Sequence, residues 1–303
     1  MHGGFQVTKL LLLGANGQVG TELRRSLCVH GPMVALGRDQ LDLTNHSAIT
    51  DVIRSETPRI IVNAAAYTAV DQAESEQDLA SAINRDAVET IAHEARKADA
   101  LVLHYSTDYV FPGDSNEPYC VNDEPSPRSV YGKTKLEGEQ VIHDSGCRAL
   151  IFRTSWVYAA HGSNFVRTML RLAQEREVLR VVCDQIGTPT AAELIADTTS
   201  LALYGWLCGH VDEGTYHLTA SGQASWHDFA QYVVARARHR GMELRVDPDA
   251  IEPISTAEYP TPAPRPANSR LSNAKLESAL GLYMPDWRLH ADRVVDDLTR
   301  QSL

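Results

Sequence analysis

The stretch KLLLLGANGQVGTEL, residues 9–23, places Gly14, Gly17 and Gly20 between an apolar run and an amphipathic run. The apolar run is typical of a buried strand, and the residues after Gly17 carry the apolar periodicity of a helix. Glycines at such a junction allow a tight turn and let a phosphate approach the free N–H groups at the helix N-terminus. In this context the G-x-x-G-x-x-G spacing predicts a dinucleotide-binding loop. The alternative is a tight turn that only packs the helix on the strand.

Strands and helices are predicted to alternate through the first half of the chain. The runs that predict strands are KLLLLG (9–14), MVALGR (33–38), RIIVNAAA (59–66), ALVLHYST (100–107) and RALIFRTSWVY (148–158). They are continuously apolar, so both faces of the sheet should be covered by helices. This pattern predicts an α/β fold with a doubly wound, parallel, Rossmann-like sheet.

The predicted helices lie between these strands. The first covers GQVGTELRRSLCVHG (17–31) and is expected to end at Gly31. The second covers NHSAITDVIRSETP (45–58), with Thr44 or Asn45 as its N-cap. A third, DLASAINRDAVETIAHEARKAD (78–99), is predicted as one long amphipathic helix, and VYGKTKLEGE (130–139) opens a fourth.

The alternation loosens beyond residue 155. We expect a dinucleotide-binding domain over residues 1–155 and a smaller, mainly substrate-binding region over residues 156–303. Some C-terminal segments are expected to return to the first domain. The segment PISTAEYPTPAPRPANSRL (253–271) is rich in proline and is predicted to be a loop. Loops of this length often carry function, so it is a candidate part of a site.

Composition restricts the partners and the location. The 303 residues carry a formal net charge of −11, which argues against nucleic acid or an anionic membrane as partner. The cysteines have no C-x-x-C or zinc-ligand spacing, so we expect reduced thiols and a cytoplasmic protein. The N-terminal stretch MHGGFQVTKL lacks the features of a signal peptide, and no apolar run is long enough to span a bilayer.

The end of the second predicted strand, GRDQLDL (37–43), bears on the choice of cofactor. A carboxylate here commonly binds the adenosine 2′-hydroxyl of NAD, whereas an arginine favours the 2′-phosphate of NADP. Arg38 follows Gly37 directly, which favours NADPH, with NADH as the alternative. A solvated surface cation is the other interpretation of Arg38. Asp42 could flank the adenine or cap the helix that follows.

Tyr131 and Lys135 stand one helical turn apart and should face the same side of their helix. An ammonium favours a phenolate, so we expect Lys135 to lower the pKa of Tyr131 from its ordinary value of about 10. The pair would deliver a proton while hydride arrives, with Lys135 also binding a ribose hydroxyl. The stretch HYSTDYVF (104–111) ends a strand where ligands bind, and Thr107 or Ser106 there could hydrogen-bond a substrate carbonyl.

Seven segments, in order, resemble the dTDP-4-dehydrorhamnose reductase family of extended short-chain dehydrogenase/reductases. They are GANGQVG (14–20), IVNAAAYTAVDQAESE (61–76), HYSTDYVFPG (104–113), VYGKTKLEGE (130–139), FRTSWVY (152–158), GTPTAAELIAD (187–197) and YPTPAPRPANSRL (259–271). The resemblance implies an oxidoreductase that transfers hydride from NAD(P)H to the C4 keto group of dTDP-4-dehydro-L-rhamnose, in the synthesis of dTDP-L-rhamnose for cell-wall polysaccharide. It implies that Tyr131 donates the proton, Lys135 assists it and Thr107 holds the keto oxygen.

The glycine loop, the motif positions and the resemblance together define the candidate binding residues. The cofactor candidates are Gly14, Asn16, Gly17, Gln18, Val19, Gly20, Arg38, Asp42, Leu43, Ala64, Ala65, Ala66, Tyr67 and Lys135. The candidates for binding the nucleotide sugar are Thr107, Asp108, Tyr131, Trp156, Asn164 and Arg265. Asn164 could instead cap a helix, and Trp156 could instead pack in the core. Arginine binds phosphate through two hydrogen bonds, which favours Arg265, whereas Arg270 is expected to anchor its loop.

The resemblance also implies a metal and a homodimer. Carboxylates near Glu22, Glu193 and Asp297 bind magnesium at a dimer interface in the family, and oxygen ligands suit Mg²⁺. Solvated helix faces are the alternative interpretation of these three residues. Asp297 stands where the family has glutamate, and the chemistry itself needs no metal.

Two other functions are compatible with the same motifs. Another nucleotide-sugar enzyme of this fold, an epimerase or a dehydratase, would need an additional acid–base pair or a tightly retained NAD. A non-catalytic regulatory subunit, similar to that of methionine adenosyltransferase, shares the fold and many of the motifs. The intact Tyr131, Lys135 and Thr107 argue against that second interpretation.

Overall fold

The computed structural model describes residues 8–301, so most of the stretch on which the signal-peptide prediction rests lies outside the described residues. The strands are β1 (Leu10–Leu13), β2 (Met33–Leu36), β3 (Ile60–Asn63), β4 (Leu101–Thr107), β5 (Arg148–Thr154), β6 (Val157–Tyr158), β7 (Leu179–Val182), β8 (Ile186–Gly187), β9 (Thr190–Ala191), β10 (Gly214–His217), β11 (Ala224–Ser225) and β12 (Ile251–Ile254). The helices are α1 (Gln18–Ser26), α2 (His46–Glu56), α3 (Val70–Ala73), α4 (Gln77–Ser81), α5 (Ala87–Ala98), α6 (Val130–Ser145), α7 (Phe165–Glu175), α8 (Ala192–Leu207), α9 (Trp226–His239), α10 (Ala274–Leu280) and α11 (Trp287–Gln301).

A six-stranded parallel sheet forms the centre of the fold, in the order β10-β5-β4-β3-β1-β2. Leu10 of β1 lies beside both Met33 of β2 and Ile60 of β3. Helices α1 and α8 pack together on one side, and α2, α5 and α6 on the other. The predicted α/β, doubly wound, Rossmann-like sheet is therefore confirmed. The strand order reverses between β1 and β3, which is where such folds bind ligands.

The four leucines of β1 explain the two layers of core. The first and third pack with Leu23 of α1, whereas the second and fourth pack with Ile91 of α5. Each of the four is at most 1% exposed. Successive side chains of a strand point to opposite faces, so a strand covered on both sides has no face turned to solvent.

The first helix is shorter than the sequence predicts. α1 ends at Ser26 and not at Gly31, because the Leu27 N–H makes a final bond to the Leu23 carbonyl and the chain then turns towards β2. Gly31 instead lies in the turn between α1 and β2. A Cβ atom on Gly31 would lie 2.0 Å from the Thr8 carbonyl oxygen, so the glycine is required by close backbone approach and not as a helix stop.

The helix predicted over residues 78–99 is not continuous. A π-turn, Ala82–Asp86, separates α4 from α5. Apolar periodicity cannot reveal such an insertion, because the extra residue changes the hydrogen bonding and not the composition. The sequence predicts Thr44 or Asn45 as the N-cap of α2. The structure has Asn45 there, and its side chain accepts the Ala48 N–H at 3.1 Å.

The proline-rich segment 253–271 is predicted to be a loop throughout, but its first part is regular. Its first residues belong to β12, and a 3₁₀ turn covers Thr256–Glu258. Pro253 is tolerated because β12 pairs only with β7 within the described residues, and an edge strand can accommodate a residue without an N–H. The remainder is the expected loop, and Arg270 anchors it by donating to the Asn116 carbonyl at 2.6 Å.

Much of the C-terminal half packs as short two-stranded sheets, β11–β8, β12–β7 and β6–β9, with helices around them. β10 instead joins the main sheet, with Gly214 opposite Leu150 of β5. A C-terminal segment thus contributes to the central sheet, while the division at residue 155 stays a prediction. Within residues 8–301, no helix combines the length and the apolar character needed to cross a membrane.

A buried ion pair fixes α6 against β5. Arg153 of β5 and Glu139 of α6 are 5% and 2% exposed, and Nη2 of the arginine lies 2.6 Å from Oε2 of the glutamate. The guanidinium also lies 5.1 Å from the centroid of the Phe111 ring. Removing one partner of such a pair leaves a buried charge without compensation.

Replacing Glu139 by alanine is therefore expected to reduce the free energy of unfolding by about 3–5 kcal/mol. Urea denaturation of the wild type and of Glu139→Ala measures the difference. The matched control is Glu175→Ala, which breaks the exposed pair with Arg171 and should cost less than about 1 kcal/mol. Equal losses at the two positions would contradict this account of the ion pair.

Candidate active site

A cleft of about 960 Å³ opens at the C-terminal ends of β1, β3, β4 and β5. It lies beside the reversal of strand order, where doubly wound folds bind ligands. Among the predicted site residues, its walls include Gly14, Asn16, Gly17, Gln18, Val19, Arg38, Asp42, Leu43, Ala64, Ala65, Ala66, Tyr67, Thr107, Asp108, Tyr131, Lys135 and Trp156. Gly20, Asn164 and Arg265 lie outside that lining.

The glycine loop joins β1 to α1 along one wall of the cleft. Gly14 has a positive φ of 82°, and a Cβ atom there would lie 2.6 Å from the Ala65 nitrogen. Gly20 brings α1 against the loop, because a Cβ atom on it would lie 2.0 Å from the Gly14 carbonyl oxygen. Gly17 is the N-cap of α1 and has no side chain to occupy the first N–H groups. This end of the helix can therefore bind a phosphate.

Arg38 follows β2 with an exposed side chain on the cleft wall. Within residues 8–301, no hydrogen bond or salt bridge engages its guanidinium, so it is available to a phosphate. Asp42 is already engaged: its Oδ1 accepts the Thr44 N–H at 3.0 Å, and hydrogen bonds from Thr44 lower the pKa of the carboxyl. Asp42 thus stabilises the turn that precedes α2.

The first turn of α6 presents Tyr131 to the cleft. Ser129 is the N-cap of the helix, and its hydroxyl accepts the Gly132 N–H at 3.1 Å. Gly132 permits a close approach to the turn after β4, because a Cβ atom there would lie 2.2 Å from the Tyr109 carbonyl oxygen. The ring of Tyr109 packs edge-on against that of Tyr131, with centroids 5.5 Å apart. The phenol is thereby placed beside the end of β4.

Lys135 lies one helical turn after Tyr131 and is almost completely buried. Its Nζ donates to the Tyr105 carbonyl oxygen at 2.6 Å. Burial lowers the pKa of Lys135 to about 8, while the charge of Glu139 raises it by less. The structure thus brings Tyr131, Lys135 and Thr107 to one wall of the cleft.

The expected lowering of the Tyr131 pKa is wrong for the protein without ligands. Burial raises the pKa of the phenol above its ordinary value, and a hydrogen bond with Thr107 lowers it by less. Spacing alone suggests that the ammonium should dominate, but burial disfavours the charged form of both groups. The phenol consequently keeps its proton at neutral pH.

Thr107, the last residue of β4, links the phenol to a buried carboxyl. Its hydroxyl donates to Oδ1 of Asp108 at 3.0 Å and accepts the Tyr109 N–H at 3.2 Å. Asp108 is 4% exposed, and burial raises the pKa of its carboxyl to about 6, against hydrogen bonds from Ser269 and Thr107 that lower it. Phenol, hydroxyl and carboxyl thus form a compact polar group at the cleft floor.

Trp156 follows β5 in a left-handed conformation with φ 49°, which is unusual for a bulky residue. Its ring stacks on Trp226 of α9, with centroids 3.6 Å apart and planes 9° apart. A Cβ atom on Gly187 would lie 2.4 Å from Trp156 Cε2, so the glycine makes room for the ring. The indole is half-buried and lines the cleft, where it can offer a flat aromatic surface.

Asn164 and Arg265 lie outside the cleft lining, and hydrogen bonds to other side chains hold both of them. Asn164 caps α7 by accepting the Arg167 N–H at 3.1 Å, and it donates to Oε1 of Gln18 at 2.8 Å. Arg265 Nη2 donates to Oδ2 of Asp71 at 2.6 Å. Asn164 therefore supports the glycine loop through Gln18, and Arg265 ties the proline-rich loop to α3.

Glu22, Glu193 and Asp297 do not form a metal site in the described chain. No group of three or more His, Cys, Asp or Glu side chains between residues 8 and 301 is placed to hold a metal ion. The carboxylates instead face arginines, in the pairs Glu22–Arg25, Glu193–Arg293 and Asp297–Arg300. The prediction of Mg²⁺ at these residues therefore has no support.

Asn84, a residue that the motifs did not mark, holds the loop at Tyr67. Its Oδ1 accepts the Tyr67 N–H at 2.9 Å, and its Nδ2 donates to the Tyr67 carbonyl at 3.2 Å and to the Thr134 hydroxyl at 3.1 Å. Asn84 lies in the π-turn, a feature that often occurs at functional sites. The available sequence signal was a polar amide inside an amphipathic helix, which does not identify its partners.

The fold and the site define an extended short-chain dehydrogenase/reductase: a doubly wound sheet, a glycine loop at a helix N-terminus, and a Tyr–Lys pair beside a strand-end threonine. The chain belongs to the family described as RmlD substrate binding domain, which matches residues 8–300.

Similar proteins support that assignment over nearly the whole chain. A dTDP-4-dehydrorhamnose reductase of Burkholderia thailandensis is 46% identical over 297 residues, covering 97% of this chain and 100% of the relative. One of Escherichia coli K12 is 46% identical over 293 residues, covering 95% and 97%. The crystal structure of a Bacillus anthracis dTDP-4-dehydrorhamnose reductase in complex with NADP has a TM-score of 0.87 at 36% identity, covering 95% of this chain and 99% of that one. The family resemblance is thereby confirmed.

The buried Asp108 carboxyl should make stability depend on pH. Its pKa is raised from 3.8 to about 6, so the stability it contributes is present below the ordinary pKa and is lost as pH rises through the folded value. Relative to Asp108→Asn, the wild type should lose about 1–3 kcal/mol of unfolding free energy between about pH 4 and 7. Urea denaturation at several pH values measures this. A difference that does not change with pH would contradict it, and the exposed Asp51→Asn is the control.

Proposed function

We propose that the chain reduces the C4 keto group of dTDP-4-dehydro-L-rhamnose with NADPH, giving dTDP-L-rhamnose. The observation that carries the proposal is the convergence of Tyr131, Lys135 and Thr107 on the cleft that the glycine loop also lines. Full-length similarity to proteins named dTDP-4-dehydrorhamnose reductase supports the substrate. Fold alone would not support it, since one fold serves many reactions.

The cleft fits a dinucleotide. A side chain at Gly14 would fill the space beside Ala65, and the uncapped N–H groups of α1 suit a pyrophosphate. The free guanidinium of Arg38 suits a 2′-phosphate, which favours NADPH, with NADH as the alternative. When bound, the cofactor supplies the hydride. The similar Bacillus anthracis reductase was crystallised with NADP.

Tyr131 is the proposed proton donor. A donor must carry its proton when the reaction begins, and burial keeps the Tyr131 phenol protonated because it raises the pKa. The proton passes from Oη to the carbonyl oxygen as that oxygen gains negative charge, and the nearby Lys135 ammonium stabilises the phenolate that remains. Lys135 is also proposed to bind a ribose hydroxyl of the cofactor.

Thr107 is proposed to hold the keto oxygen. In the protein alone its hydroxyl donates to Asp108, so binding requires rotation of the hydroxyl towards the substrate. Asp108 is then free to accept a sugar hydroxyl. Trp156 is proposed to contact the sugar or the base with the half of its indole that Trp226 does not cover.

The remaining substrate candidates lie at the edge of the site. Nη2 of Arg265 donates to Asp71, and we propose that a diphosphate takes the place of that carboxylate. Asn164 is proposed to act through its contact with Gln18 of the glycine loop. A homodimer and a cytoplasmic location also stay predictions, and light scattering would measure the first.

The rival functions differ in measurable ways. An epimerase or dehydratase would retain NAD through purification, whereas a reductase exchanges its cofactor in each turnover. A regulatory subunit would bind a synthetase and show no turnover, although the protonated Tyr131 beside Lys135 supports a catalytic role. Assay of the purified protein with NADPH and the keto sugar separates these outcomes.

Tyr131→Phe removes the donated proton and leaves the ring in place. We expect kcat for NADPH oxidation with dTDP-4-dehydro-L-rhamnose to fall at least about 100-fold. Tyr283→Phe is the control, because Tyr283 is 91% exposed and does not line the cleft. A Tyr131→Phe variant that keeps the full rate would remove the proposed mechanism.

Arg38→Ala should weaken the binding of NADPH but not that of NADH. Losing a charge-assisted contact with a phosphate is expected to raise KM for NADPH about 10-fold and to leave KM for NADH nearly unchanged. Steady-state kinetics with each cofactor measure the effect. Arg24→Ala, an exposed position in the last turn of α1, controls for loss of positive charge. Equal changes for both cofactors would refute a 2′-phosphate contact.

A further inference from the structure

A buried chain of polar groups lies behind Lys135, and the proposed mechanism does not use it. His104 of β4 is 0% exposed, and Asn63 of β3 is 1% exposed. His104 Nε2 lies 3.4 Å from Lys135 Nζ, and its Nδ1 lies 3.2 Å from Asn63 Nδ2. Asn63 Oδ1 accepts the Ala65 N–H at 3.3 Å. The chain therefore joins the lysine to the loop at Ala65, which lines the cleft.

The Ala65 N–H at one end of this series of polar groups determines how the Asn63 amide and the His104 ring are oriented. The Ala65 N–H can only donate, so the oxygen of the Asn63 amide turns towards it and the NH₂ group turns towards His104. A neutral imidazole that accepts at Nδ1 carries its proton on Nε2. His104 then directs an N–H at Lys135 Nζ.

That N–H opposes the charged form of the lysine. An ammonium has three donors and no acceptor, so it cannot accept the His104 Nε2–H, whereas the neutral amine can. The imidazole cannot relieve the conflict by taking a proton. Burial, reinforced by the nearby Lys135 charge, lowers the pKa of His104 well below its usual range and keeps the ring neutral.

We propose that His104 and Asn63 are positioning residues that set the charge of Lys135 from behind, by presenting the Nε2–H tautomer to its amine. The proposal rests on the proposed function, because the charge of Lys135 matters to turnover only if it stabilises the Tyr131 phenolate. It adds Asn63 and His104 to the site. Through these residues of β3 and β4, the loop that lines the cleft at Ala65 is coupled to the proton donor.

Other groups around Lys135 also affect whether its side chain is charged. The Tyr105 carbonyl on β4 accepts from Nζ in either charge state. Glu139 on α6 favours the ammonium, although its own charge is paired with Arg153 of β5. The Tyr131 phenol on the cleft side is neutral. His104 is therefore the neighbour that favours the amine.

The tautomer can be observed directly by ¹⁵N NMR of the imidazole. The wild type should show His104 with its proton on Nε2. In Asn63→Asp the carboxylate can only accept, from the Ala65 N–H and from His104, so the proton should move to Nδ1. A wild-type imidazole protonated on Nδ1 would overturn the proposal, and this measurement remains decisive if Asn63→Asp does not fold.

Kinetics test the consequence. With Nδ1 protonated, His104 Nε2 accepts from the ammonium, so the loss of kcat at high pH should move upwards by about one pH unit in Asn63→Asp. In the double variant Asn63→Asp, His104→Phe the shift should disappear relative to His104→Phe alone. If the shift persists there, the new carboxylate acts through space and the proposal fails.

The control is His143→Gln, an exposed histidine near the end of α6, which should leave the pH profile unchanged. Failure of this proposal is distinguishable from failure of the proposed function. Absence of turnover in the wild type would remove the reductase assignment, whereas the NMR result judges the His104 tautomer without any substrate.

Discussion

The hydrogen bond from Lys135 Nζ to the Tyr105 carbonyl oxygen joins α6 to β4 inside the cleft, over 2.6 Å. Because Tyr131 lies one turn earlier on the same helix face, this bond also determines where the phenol meets Thr107 at the end of β4. The buried pair of Arg153 and Glu139 supports the same helix from β5. The position of the proposed donor is therefore fixed by contacts deep in the sheet.

Close backbone approach and burial give the site its properties. Glycines at positions 14, 20 and 132 allow contacts in which a Cβ atom would come within 2.0–2.6 Å of backbone atoms. The resulting exclusion of water moves Tyr131, Lys135 and Asp108 towards their neutral forms, since burial is the largest influence on each pKa. A neutral phenol suits proton donation, and Arg38 offers an exposed positive charge on the cleft wall of an otherwise acidic protein.

The sheet and the glycine loop could be predicted because they follow from local patterns: continuous apolar runs, and glycines at a strand–helix junction. The π-turn at Asn84 could not, since its hydrogen bonds to Tyr67 depend on the folded chain. Arg265 pairs with Asp71, 194 positions away, and no spacing rule connects them. The sign of the Tyr131 pKa shift was missed because sequence shows the neighbouring charge but not the depth of burial.

We propose that one cleft holds the nicotinamide against Tyr131 and Thr107. A crystal structure of the protein with NADP⁺ tests it most directly. We expect the pyrophosphate on the N-terminus of α1 and the nicotinamide ring facing the space between the phenol and the Thr107 hydroxyl. A nicotinamide bound elsewhere, or a Tyr131 side chain turned away from it, would contradict the account.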